Sequence, residues 1–254
     1  MRRAAVVPTA TAVLLAACGQ EGSAGTQSSE DDVSGGTVTV LAAASLTDVL
    51  TLVEDDFESA NEGVDVRISF AASSTIVQQV NGGAPADVIA LADQSSLEPL
   101  DQELMVGEPV VFITNSLQLS VPPDNPGEVG ALADLASPDL SVVVCAEQVP
   151  CGNATASLFE QQGLTPNVVS FEPDVRATLS KVELGEADVG VVYRTDVTAA
   201  GDRVQGIEIP EDQNVINSYP VVAVSDADLG HRFIDFLLSE GGQERLTDAG
   251  FVAP

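Results

Sequence analysis

Between Val38 and Tyr193, short apolar runs alternate with stretches whose apolar residues recur every three or four positions. Continuous apolar runs suit strands buried on both faces, and the 3.6-residue period suits amphipathic helices. Val38, Val40 and the small apolar residues to Ala44 read as a strand, and Leu46, Val49, Leu50, Val53 and Phe57 as a helix ended by Asn61-Glu62-Gly63. Val64, Val66, Ile68 and Phe70 alternate as a strand; Ile76, Val77 and Val80 mark a helix stopped by Asn81-Gly82-Gly83; Val88–Leu91 is a third strand. The same grammar returns as strand Val142–Val144, helix Ala154–Gln162, strand Val168–Phe171, helix Val175–Leu184 and strand Val189–Tyr193. Two such blocks predict an α/β protein of two lobes, each a mixed, mostly parallel sheet flanked by helices. The longer extended runs Pro109–Val121 and Val215–Val224 connect the blocks, and Leu229–Leu238 and Gln243–Ala249 read as closing helices. The expected division is 37–115 for the first lobe, 116–217 for the second, and 218–254 returning to the first.

The chain before Thr37 has a different character. Arg2 and Arg3 precede an apolar run, Ala4 to Ala17, of 14 residues. That is too short to cross a bilayer and reads as a signal segment, 1–17. It ends in Leu15-Ala16-Ala17-Cys18-Gly19, which resembles the lipobox of bacterial lipoproteins. The resemblance implies cleavage before Cys18 and lipid on its sulfur. The rest of 18–36 is rich in Gly, Ser, Gln and acids, a composition that buries no core and reads as a flexible tether. The expected location is the outer face of a bacterial cell membrane, held there by the lipid. With Cys18 lipidated, Cys145 and Cys151 remain, an even number in an oxidising compartment. They read as a disulfide closing a small loop, two buried thiols being the other reading.

The chain carries 39 acids against 9 bases, a net charge of −30. Nucleic acid is excluded as a partner, because phosphates are recruited by clustered Lys and Arg. His231 is the single histidine, and its spacing from Phe233 and Phe236 places it on a helix surface. G-x-G-x-x-G, P-loop and H-E-x-x-H motifs are absent from the sequence. An enzyme is therefore not expected, nor a bound metal cation or cofactor.

The informative residues lie where strands meet helices. Ser45-Leu46-Thr47-Asp48 fits a capping box; Ser73-Ser74 precede the Ile76 helix, Cys151-Gly152 the Ala154 helix and Pro173-Asp174 the Val175 helix. Each reads first as a cap, contributing about 1 kcal/mol. Taken together, several helix starts facing one cleft present unpaired N–H groups to an anion without any Lys or Arg.

These residues also carry a resemblance. Leu41-Ala42-Ala43-Ala44-Ser45-Leu46-Thr47-Asp48, Ser69-Phe70-Ala71-Ala72-Ser73-Ser74-Thr75 and Gly83-Ala84-Pro85-Ala86-Asp87-Val88 resemble the molybdate-binding proteins of bacterial ABC importers. So do Ala92-Asp93-Gln94, Val149-Pro150-Cys151-Gly152, Asp174-Val175-Arg176 and Gly190-Val191-Val192-Tyr193. The resemblance runs from Thr37 to the end. It implies the two-lobed fold of type II periplasmic binding proteins, with one tetrahedral oxyanion held between the lobes by neutral donors. By motif, the donors are Ser45 and Ser73 from the first lobe, and the amides near Cys151 and Val175 and the hydroxyl of Tyr193 from the second. Ser74 and Gly152 are adjacent candidates. Cys151 departs from the family, where a small Ala is common; a backbone amide survives that exchange. A Cys145–Cys151 bridge would stiffen this donor loop. The implied partners are molybdate or tungstate and an ABC transporter permease, the binding protein acting as a monomer.

Molybdate at neutral pH is a dianion with four acceptor oxygens and no proton, so a cage of O–H and N–H groups matches it. Phosphate keeps a proton that such a cage leaves unpaired, at a cost of about 1–3 kcal/mol. Sulfate, like molybdate, is unprotonated, so cavity size must reject it; a binding protein for sulfate or thiosulfate is the alternative reading. Arg176 is expected to brace a neighbouring acid. Asp48, Asp87 and Asp93 are assigned to capping and loop bracing, because a carboxylate against a dianion repels it.

Overall fold

The computed structural model describes residues 35–254. The signal segment, Cys18 and the tether as far as residue 34 lie outside the described residues. Strand β1 (Thr37–Ala43) runs through a 3-10 turn, Ala44–Leu46, into α1 (Thr47–Ala60). There follow β2 (Asp65–Ala71), α2 (Ser73–Asn81), β3 (Val88–Ala90) and the long β4 (Val106–Val121). The second block is β5 (Val142–Cys145), α3 (Pro150–Gln162), β6 (Val168–Glu172), α4 (Val175–Glu183) and β7 (Val189–Tyr193). It is completed by α5 (Arg194–Ala200) and β8 (Gln205–Ile207). Strand β9 (Ile216–Ala223), α6 (Asp228–Leu238) and α7 (Glu240–Asp248) finish the chain.

Helical period turns into packing directly. Helix α1 buries Val49, Leu50, Val53 and Phe57, and the Phe57 ring meets Phe233 and Phe236 of α6 edge-on at 5.3 and 5.4 Å. Helix α3 stops at Gly163, whose φ of 62° is left-handed and suits a residue without a Cβ.

The strands form one nine-stranded mixed sheet in the order β2-β1-β3-β9-β4-β7-β5-β6, with β8 beside β4. In the first half β1 pairs in parallel with β2 and β3; in the second β5 pairs in parallel with β6 and β7. Each half thus reverses strand order around a central strand, and such sheets bind ligands at the carboxyl ends of their strands. Strands β4 and β9 join the halves. Val106–Ser116 of β4 lie along β9, and Leu117–Ser120 lie along β7. One core is built from residues of the first block together with Tyr219, Phe233, Leu237 and Leu246 of the closing segment. A second core is built from residues between Leu117 and Ile209 together with Ala44 and Ala72 of the first block.

Three local expectations need correction. Helix α3 begins at Pro150, not Ala154, so Cys151 and Gly152 lie inside its first turn. Proline fits there because the first helical N–H has no partner to lose. Ser45 does not cap α1: it lies within the 3-10 turn, and no side-chain cap precedes the helix. Ser73 and Ser74 are the first two residues of α2, and their side chains do not cap it either. Of the four junctions, only Asp174 spends its side chain on a cap, accepting from the Ala177 N–H at 2.9 Å.

Candidate functional site

A cavity lies where the strand ends of the two halves meet. From the first half, Ala43 ends β1 and Ala44 and Ser45 follow it, Ala72 and Ser73 follow β2, and Ala92 follows β3. From the second, Val149, Pro150 and Cys151 follow β5, Asp174 and Val175 follow β6, and Tyr193 ends β7. Two sets of three parallel strands thus deliver their carboxyl ends to one place. Ser45, Ser73, Cys151, Val175 and Tyr193, singled out from sequence, all line it. Ser74 lies outside, lining a neighbouring groove with Gln78, Asp93 and Asn153. Gly152 is buried one residue from the wall.

The cavity has a volume of about 20 Å³. One water-sized sphere needs about 10–15 Å³, and sites for drug-sized molecules run to about 300–1,000 Å³. The space is on the scale of a small ion.

The donors follow from helix bookkeeping. The first turn of a helix leaves N–H groups without intrahelical acceptors. In α2, Thr75 and Ile76 use the Ala72 carbonyl, leaving the N–H groups of Ser73 and Ser74. In α3, Asn153 uses the Val149 carbonyl, leaving Cys151 and Gly152. In α4, Asp174 takes Ala177 and Thr178, leaving Val175 and Arg176. Three helix starts bring their partial positive charge to the same point.

Around the cavity no Lys or Arg is among the lining residues, and Asp174, occupied as a cap, is the one carboxylate. Burial, then the nearby Tyr219, Asp93 and Asp196, push the Tyr193 hydroxyl well above its ordinary pKa, so it keeps its proton. Ser73 Oγ accepts the Ala92 N–H at 2.9 Å. Ser45 Oγ lies 2.9 Å from the Tyr219 hydroxyl, and Tyr193 OH accepts from Asn217 Nδ2 at 3.0 Å. Sequence reading missed Asn115, Asn217 and Tyr219. The signal for them was the presence of polar groups inside apolar extended runs.

The loop from β5 to α3 is pinned twice. Cys145 and Cys151 are joined by a disulfide across 5.7 Å between Cα atoms. Gly152 lies so close to the preceding turn that a Cβ would stand 1.9 Å from the Ala146 carbonyl oxygen.

Arg176 does not line the cavity; it pairs with Asp48 of α1 at 2.7 Å and faces Asp196 of α5 at 3.8 Å. Asp48 is thus an ion-pair partner and not a cap. Asp87 accepts from the Thr39 N–H and the Ser225 hydroxyl, and Asp93 from Ser95 and Ser96. Both brace loops.

A mixed nine-stranded sheet flanked by helices, with this arrangement of strand ends, is the fold of the periplasmic-binding-protein type II class. The chain belongs to the family of bacterial extracellular solute-binding proteins, whose model matches residues 38–252. It is 35% identical over 221 residues to the molybdate-binding protein ModA of Mycobacterium tuberculosis, covering 85% of both chains. It is 31% identical over 241 residues to ModA of Escherichia coli, covering 85% of this chain and 89% of that one. The periplasmic molybdate-binding protein of Azotobacter vinelandii shares the fold at a TM-score of 0.76 and 20% identity, over 85% of this chain and 99% of that one.

Proposed function

We propose that the protein binds molybdate, and tungstate with it, between its lobes and delivers the anion to an ABC importer. The supporting observation is the cavity itself: small, without Lys or Arg, its one carboxylate Asp174 engaged as a helix cap, and lined by Ser45, Ser73, Cys151, Val175 and Tyr193. The hydroxyls of Ser45, Ser73 and Tyr193 and the amides of Cys151 and Val175 hold the anion, with Gly152 and Ser74 contributing N–H groups beside them. The ModA relatives at 31% and 35% identity favour molybdate among tetrahedral anions. The protein performs no chemistry on its ligand and needs no cofactor. It acts as a monomer, anchored by lipid on Cys18 to the outer face of the cell membrane. The lobes divide at 37–115, 116–217 and 218–254, where β4 and β9 cross, and they close over the ligand.

Calorimetry on Ser45→Ala and Tyr193→Phe tests the site. Each removes one hydrogen bond to a charged ligand, worth about 1.5–3 kcal/mol, so molybdate affinity falls roughly ten- to hundredfold. Unchanged affinity in both variants rejects the cavity as the binding site.

A further inference from the structure

A hydroxyl group can donate or accept, so a wall of Ser and Tyr does not by itself select an unprotonated anion. What selects is the direction in which each proton points, and here that direction is imposed from behind. Asn115 of β4 and Asn217 of β9 are directly opposite partners in the strand pair that joins the halves, so their side chains share one face. Both are buried.

Their amide orientations follow from backbone partners that have only one polarity. Asn115 Oδ1 accepts the Ser116 N–H at 3.0 Å, which turns Nδ2 toward Thr195 at 2.8 Å and the Tyr219 hydroxyl at 3.4 Å. Asn217 Nδ2 donates to the Ala92 carbonyl at 3.0 Å and, with its other hydrogen, to the Tyr193 hydroxyl at 3.0 Å.

We infer that Asn115, Asn217 and Tyr219 are positioning residues that fix the hydroxyls of Ser45 and Tyr193 as proton donors to the bound anion. Tyr193 OH accepts from Asn217, which leaves its own proton for the cavity. Tyr219 OH accepts from Asn115. Tyr219 is fully buried, and Ser45 Oγ lies 2.9 Å from its hydroxyl, close enough to accept its proton. A buried hydroxyl places its proton on the acceptor available. Ser45 therefore accepts from Tyr219 and directs its own proton into the cavity. Ser73 is set the same way by the Ala92 N–H. The three lining hydroxyls turn protons toward the cavity, so an oxyanion carrying a proton of its own meets donors where it needs an acceptor.

The inference rests on the molybdate reading above, and two double-mutant cycles separate the two. Molybdate affinity is measured by calorimetry for Tyr193→Phe, Asn217→Leu and their double variant, and for Ser45→Ala, Tyr219→Phe and theirs. Asn217→Leu and Tyr219→Phe alone are expected to weaken binding about three- to tenfold. In the doubles they add about twofold or less, because the hydroxyl they direct is gone. The same two single variants lower the ratio of molybdate to hydrogen phosphate affinity, a readout that loss of packing alone does not move. Tyr219→Phe deletes a single oxygen and keeps the ring, so its cycle stands if Asn217→Leu fails to fold. Full additivity, or an unchanged anion ratio, overturns the relay. Loss of affinity in neither Tyr193→Phe nor Ser45→Ala overturns the site itself.

Discussion

Arg176 Nη1 lies 2.7 Å from Asp48 Oδ2, tying α4 of the second half to α1 of the first. The Arg176 side chain is 30% exposed and that of Asp48 51%, so solvent screens the pair. Its effect belongs to the rate of opening. Asp48→Asn is expected to speed molybdate release about two- to fivefold with little change in the rate of capture. Stopped-flow release at low and high salt checks this, and the difference between variant and parent should shrink as salt rises.

Asp196, behind Arg176, behaves differently. Its carboxyl is buried, with only the Tyr193 N–H donating to it, and burial pushes its pKa up to about 7 against the pull of Arg176. An acid whose folded pKa is raised binds more protons folded than unfolded between those two values. Stability from this group therefore falls as pH rises from about 4 to about 7. Asp196→Asn removes that slope. The melting temperature of the variant minus that of the parent should grow between pH 4.5 and pH 7.5; a constant difference contradicts the assignment.

Gly152→Ala should be among the costliest small substitutions in the chain. The added Cβ would stand 1.9 Å from one backbone oxygen and 2.8 Å from another, those of Ala146 and Cys145. The start of α3 must move, costing about 1–3 kcal/mol of stability and displacing the Cys151 amide. Gly241→Ala meets nothing within 4 Å and serves as the control. Chemical denaturation with a parallel molybdate titration reads both effects.

Reducing the Cys145–Cys151 bond releases a loop with a sequence separation of 6. The expected loss of stability is about 2 kcal/mol, and molybdate affinity falls with it because the loop carries a donor. Mass spectrometry of the native protein should find neither thiol free.

The parallel strands and their helices were legible because apolar period is a strong signal, as in Val49, Leu50, Val53 and Phe57 of α1. Helix α5 was not, since Arg194–Ala200 carries a single large apolar residue, Val197, and is held by Asp196 accepting from the Tyr193 N–H. The cavity residues stand out by motif and by their place at helix starts, but capping is not what the Ser45 and Ser73 side chains do. Ser45 and Ser73 look like caps in one dimension; in three, Tyr219 from 174 residues away and Ala92 occupy their oxygens instead. The asparagines that orient the tyrosines stand in strands that read only as connectors. Their function depends on β4 and β9 pairing across 102 residues of chain, a register no local pattern reports.

The acidity of the chain acts at longer range. A net charge of −30 repels an approaching dianion, and added inert salt, with a screening length of about 8 Å at physiological strength, should raise the molybdate on-rate. A flat or falling rate would mean that the helix starts dominate the field outside the cavity as well as inside it.

If uncharged donors hold an unprotonated tetrahedral dianion in the cavity between Ser45, Ser73 and Tyr193, the protonation and size of an anion decide whether it stabilises the protein. A thermal-shift panel with molybdate, tungstate, sulfate and phosphate on the parent protein tests it most directly. Large, similar stabilisation by molybdate and tungstate is expected, less by sulfate and none by phosphate. Stabilisation by phosphate equal to that by molybdate, or none by molybdate, would contradict it.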